Sequence, residues 1–130
     1  MKGRKPNIRV VEGGGRCPGA PAWLSLNAKR EWKRVAPGLT ARGLLTPDTS
    51  GTVESFCVAQ GLVREHSETL TRCGSIIDTD DGPMVHPANK LLIAAQREAR
   101  LLAGELGITP HRFLAGQPKK DDEDLKDFDV

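Results

Sequence analysis

Three histidines, three cysteines and a run of aspartates are the residues able to do chemistry in this 130-residue chain. His86 stands just past Asp78, Asp80 and Asp81. The one enzymatic reading on offer is therefore a hydrolase pairing an imidazole with a carboxylate. His66, His86 and His111 fall on a helix face, at a junction and in a first helical turn, and none has HxxxH or HExxH spacing. Pro87 suits a first helical position and disfavours helical geometry at the residue before it. His86 is thus better read as a cap or packing residue. Cys17, Cys57 and Cys73 are odd in number and lack CxxC spacing, so neither a disulfide framework nor a zinc site is indicated. Cys57 and Cys73 fall on one expected helix and read as core fillers. Gly13, Gly14 and Gly15 follow no strand and precede no GK[ST], so they do not make a phosphate loop. The expectation is no catalytic residue, no metal and no cofactor.

The elements that must hold these residues are mainly helical. Residues 1–21 have no sustained period and read as a flexible basic arm. "AWLSLNAKREWKRVAPG" (22–38) reads as a first helix capped by Ser25 and stopped by Pro37 and Gly38, with Leu26, Trp32 and Val35 on its apolar sector. "LTARGLL" reads as a short turn closed by Gly43. A long helix follows over 47–73, with Thr46 as cap, Pro47 at its first position and Gly74 as a left-handed stop. Val53, Phe56, Val63 and Leu70 mark its core stripe. Gly51 and Gly61 each cost it about 1 kcal/mol relative to Ala, a cost that close helix approach would explain. "SIIDTDDGPMV" reads as a β-hairpin turning at Asp81-Gly82. A second long helix spans 87–106 and stops at Gly107. Its Leu92, Ala95, Ala99, Leu102 and Leu106 follow coiled-coil-like spacing, a seam suited to self-association. "TPHRFLAG" makes a short C-terminal helix, and residues 117–130 a disordered acidic tail. The helical domain is 22–116: two long antiparallel helices joined by the hairpin.

Composition limits the rest. With no Tyr, three Phe and two Trp the core is aliphatic and thin, and small chains of this kind gain stability by oligomerising. No 18-residue apolar run exists and the N-terminus lacks a signal-like stretch, which leads to the expectation of an intracellular protein with no membrane partner. The net charge of +2 is unevenly spread. Residues 1–34 hold nine basic groups against two acidic, and residues 119–130 six acidic against three basic. A basic front of this kind fits a polyanion.

Five segments, in order, resemble the small terminase subunit of tailed phages, the short-chain family encoded beside a large terminase. They are "MKGRKP", "CPGAPAWLSLNAKREWKRVAP", "LTARGLLTPDT", "GPMVHPANK" and "ELGITPHRFL". The "NIRVVEGGG" spacer, Gly51, Gly61 and the acidic tail depart from the pattern. The resemblance implies a non-enzymatic subunit that forms a ring, recognises the packaging start on viral double-stranded DNA, and recruits the large ATPase–nuclease subunit in the host cytoplasm. His86 and Pro87 then belong to a motif that a fold-defining joint explains without catalysis.

On that reading Lys29, Arg30, Lys33 and Arg34, helped by Lys2, Arg4, Lys5 and Arg9, contact phosphates, and Arg42 is the candidate base reader. Leu125, Phe128 and Val130 sit among acids in a segment too polar to fold alone, and such a segment can dock by folding on a partner, here the large subunit. The alternative for the tail is a solubilising segment that keeps loose DNA away. The alternative for the whole chain is a dimeric helix-turn-helix regulator reading DNA with "EWKRVAPGLTARGLLTPDT".

Overall fold

The computed structural model describes residues 16–110. Residues 1–15, with Lys2, Arg4, Lys5 and Arg9, and residues 111–130, with all of the expected C-terminal helix after Pro110 and with Leu125, Phe128 and Val130, lie outside the described residues. The described part is mainly helical: α1 (Leu26–Ala41), α2 (Ser50–Cys73), β1 (Ile76–Thr79), β2 (Gly82–Val85) and α3 (Ala88–Leu106).

Helix α1 begins where its sequence says it should. The Ser25 hydroxyl accepts the Ala28 N–H at 3.2 Å, satisfying one orphan donor of the first turn. It does not end at Pro37 and Gly38, which both lie inside it. Burial explains the difference. Pro37 sits on the exposed side of the helix, where the carbonyl it leaves unpaired can bond to water, while Ala36 and Leu39 are buried. An interior proline costs about 3 kcal/mol, and burying a leucine side chain returns about 1.5–3 kcal/mol. The first residues of the expected separate turn, 39–41, are therefore the last turn of α1, and the real stop is Gly43, at φ +74°, whose N–H donates to Thr40 O at 3.0 Å. Leu26 also departs from expectation. It is 65% exposed, whereas Trp32 and Val35 are buried and Leu24, ahead of the cap, joins them.

Helix α2 starts three residues later than its Thr-Pro pair suggests. Thr46–Thr49 form a turn instead, in which the Thr49 hydroxyl donates to Leu44 O at 2.6 Å and accepts the Thr46 N–H at 2.9 Å. Its buried residues are Val53, Phe56, Cys57, Ala59 and Gly61; Val63 and Leu70 are only half-buried. Cys73, expected in the core, is exposed in the last turn. The two helix glycines separate cleanly. A Cβ on Gly61 would sit 2.9 Å from the Ala28 backbone nitrogen, so α1 crosses α2 there at glycine contact. A Cβ on Gly51 would meet open space. Close approach explains one glycine and not the other. Gly74 has the positive φ a stop requires, +86°, but its ψ of 156° leads into the strand rather than into a left-handed cap.

The hairpin pairs antiparallel with register Ile76↔Val85, Ile77↔Met84, Asp78↔Pro83 and Thr79↔Gly82. Gly82 carries the positive φ, and neither Asp80 nor Asp81 does. Helix α3 ends at Gly107 in the left-handed conformation, as expected. The core cluster joins Trp32, Val35, Ala36 and Leu39 of α1, Val53, Phe56 and Cys57 of α2, and Ala99 and Leu106 of α3. Between residues 62 and 87 no residue is buried. The far half of α2, the hairpin and the start of α3 thus form an arm reaching beyond the three-helix core.

Candidate nucleic-acid interface

The buried side of α1 is Ala28, Trp32, Val35, Ala36 and Leu39. At 100° per residue the opposite side carries Lys33, Leu26, Arg30 and Arg34, with Lys29 at its margin beside buried Ala36. Three of the four sequence-predicted cations of this helix therefore share its outer face. Arg30, Lys33 and Arg34 are exposed and Lys29 is half-buried. The face is firmly mounted: Gly61 meets Ala28 from behind, and the Trp32 indole N–H donates to Pro18 O at 3.0 Å, fixing the preceding segment across the helix.

The cations are not equivalent. Arg34 is paired with Glu31, which is largely buried, one turn earlier. The hydrogen bond that Arg34 donates to the Glu31 carboxylate raises the Arg34 pKa against an opposing contribution from burial. Arg34 thus has part of its charge offset by its neighbour, with its side chain 60% exposed. Arg30 reaches only the Asn27 amide oxygen, at 3.4 Å. Arg42 is not on this face. Its guanidinium donates to Gly107 O at 3.1 Å, tying the end of α1 to the end of α3.

The residues of the enzymatic reading are placed just as plainly. His86 Nδ1 accepts the Ala88 N–H at 2.9 Å and so caps α3. The His86 N–H donates to Ser75 O at 2.8 Å, and the Asn89 amide also donates to Ser75 O, at 3.1 Å. His86 is a joint between hairpin and helix. Cys57 is fully buried, and burial pushes its thiol up to about 12. Among the described residues no group of three or more His, Cys, Asp or Glu gathers as a metal site.

The model of the family described as phage terminase, small subunit, matches residues 28–123. The chain belongs to the phage terminase small-subunit family. The match takes in α1 from Ala28 onward and the start of the acidic tail, and leaves out residues 1–27, where two of the resembling segments begin. For a terminase small subunit, a role in phage genome packaging follows. No curated protein and no solved structure matches the chain. No helix among the described residues of this terminase subunit is long and apolar enough to cross a membrane. The helix-turn-helix alternative loses its unit: α1 runs unbroken through Pro37, and eight residues, 42–49, separate it from α2, where such motifs use a turn of three to four.

Seam residues Ala95, Ala99 and Leu106 are buried and Leu92 and Leu102 half-buried within the single chain, where α3 packs on α2. The apolar surface left over lies elsewhere: on Trp23, Leu62, Leu91, Ile93 and Leu101, and on Ile76, Met84 and Val85 of the hairpin. Sequence reasoning passed over these. The spacing Leu91, Ala94, Glu98, Leu101 beside the expected seam was the available signal.

Proposed function

We propose that this chain is the non-enzymatic DNA-recognition subunit of a phage terminase. It acts in the host cytoplasm, assembles as a ring, binds the packaging-start region of viral double-stranded DNA, and recruits the large ATPase–nuclease subunit. One observation supports the DNA part: three exposed cations, Arg30, Lys33 and Arg34, share the outer side of α1, with half-buried Lys29 at its margin, in a family of packaging subunits. Cations on a rigid helix can meet the regularly spaced phosphates of a duplex without ordering at the moment of binding. Lys29, Arg30 and Lys33 supply most of the contact, and Arg34, held by Glu31, supplies less. Lys2, Arg4, Lys5 and Arg9 of the arm add sequence-independent attraction. Arg42 acts as a clamp between helix ends. Leu125, Phe128 and Val130 dock the acidic tail on the large subunit.

The test is salt dependence. Each phosphate neutralised contributes a slope of about −0.9 in log K against log salt. Arg30→Ala with Lys33→Ala should flatten the slope by about 2 and weaken cognate and unrelated duplexes alike. Arg34→Ala alone should change it by less than one phosphate. An unchanged slope in the double variant would rule this face out.

A further inference from the structure

Two surfaces of opposite shape along α2 and α3 have no partner among the described residues. One is a groove of about 480 Å³ between α2 and α3, walled by Val58 and Leu62 on one side and Leu91, Ala94, Glu98 and Leu102 on the other, with Trp23 at its rim. Trp23, Leu62 and Leu91 are 64%, 38% and 52% exposed. The second is a ridge on the side of α3 turned away from its buried residues, formed by Ile93, Arg97, Arg100 and Leu101. Ile93 and Leu101 are 65% and 51% exposed. Five of the nine exposed large apolar side chains among the described residues fall on these two surfaces.

We infer that the α3 ridge of one copy seats in the α2–α3 groove of the next, so that the ring proposed above is built from one repeated head-to-tail contact. The inference rests on that ring reading and names its surfaces. Length fits. Ile93 and Leu101 stand about 12 Å apart along the helix, and the groove walls, Ser55 to His66 and Leu91 to Leu102, each run about 16 Å. Charge fits as well. The ionisable groups lining the groove are Glu98 and His66, and the ridge presents Arg97 and Arg100. Ridge against ridge would set these arginines against their own copies. Groove against groove would face Glu98 with Glu98 across an unfilled space. Ridge in groove pairs opposite charges and fills the hollow. Because the two surfaces differ, the contact is heterologous, and repeating it generates a ring when the rotation closes.

The experiment uses full-length protein, measured by sedimentation and native mass with and without duplex DNA. Leu62→Glu spoils the groove and Ile93→Glu the ridge, both at exposed positions, with helix content checked by circular dichroism. Each variant alone should be monomeric. Mixed, they should give a heterodimer of about 28 kDa, because one intact ridge still meets one intact groove. As an independent check, Arg97→Glu should weaken assembly and adding Glu98→Arg in the same chain should restore it. Wild-type mass in either single variant overturns the inference, because the groove then belongs to another occupant, such as residues 111–130 or a different protein. A mixture that stays monomeric overturns it too. Wild type that is monomeric with and without DNA overturns the ring reading along with it, whereas an assembled wild type with indifferent variants overturns the inference alone.

Discussion

At the scale of single residues, the two glycines of α2 make opposite predictions from the same residue type. Gly61→Ala forces a methyl into the Ala28 backbone and should destabilise by about 1–3 kcal/mol, the usual cost of overpacking. Gly51→Ala meets open space and should stabilise by up to about 1 kcal/mol. Urea denaturation of the two variants checks both; equal shifts would contradict the close crossing of α1 and α2. His86 gives a second test. Its Nδ1 caps α3, so His86→Ala should cost about 1 kcal/mol, while His86→Asn, which also offers a capping acceptor, should cost much less. Cys57 gives a third. Its buried thiol stays protonated up to about 12, against a reference of 9.0. The folded state keeps a proton that the unfolded chain releases. This contribution is therefore fully present below pH 9 and is lost as pH rises from about 9 to 12. In the native protein Cys73 should react with a thiol reagent at once and Cys57 only on unfolding. The sequence made His86 legible because a proline on its C-terminal side restricts the options. It did not make Cys73 legible, because helical position alone does not say how far along a helix the core extends.

Among the elements, Pro37 is the instructive case. From sequence it reads as a stop, since an interior proline costs a hydrogen bond. The apolar residues around it, Ala36 and Leu39, are buried, and tertiary burial outweighed the local penalty. Pro37→Ala should therefore raise stability, by up to about 3 kcal/mol, with α1 intact. A large loss of helix content in that variant would contradict the continuous helix. The second long helix was legible almost to the residue, because Pro87 and Gly107 mark its ends and its apolar spacing is regular. The residues expected to form an oligomer seam make an apolar stripe, and the stripe's partner among the described residues is α2. A 3-4 pattern specifies a helix–helix contact and says nothing of whether the second helix belongs to the same chain. The basic face of α1 was legible as a set of positions. The pairing of Arg34 with Glu31 follows from i, i+3 spacing, but the burial of Glu31 that makes it lasting could come only from the packed structure.

For the whole molecule, charge and architecture divide the chain into a basic front, a thin three-helix core with a projecting arm, and an acidic end. Truncation after Gly116 removes the acidic end. It should leave the assembled mass nearly unchanged, apart from the lost residues, and should abolish co-purification with the large subunit. Full-strength capture by the truncated protein would end the docking proposal for Leu125, Phe128 and Val130. On the proposed head-to-tail contact, changes in the α2–α3 groove or the α3 ridge should alter assembly and spare the phosphate face of α1. Sequence-specific recognition of packaging DNA is best tested by measuring the affinity of the assembled protein for the duplex spanning its own phage's packaging start against a scrambled duplex of the same length, at 0.15 M salt. Specific protein–DNA complexes exceed non-specific ones by about 10³-fold or more. A DNA-recognition subunit should prefer the packaging-start duplex by that order, with Arg30→Ala and Lys33→Ala lowering both affinities together. Equal affinity for the two duplexes, or no binding to either, would contradict it.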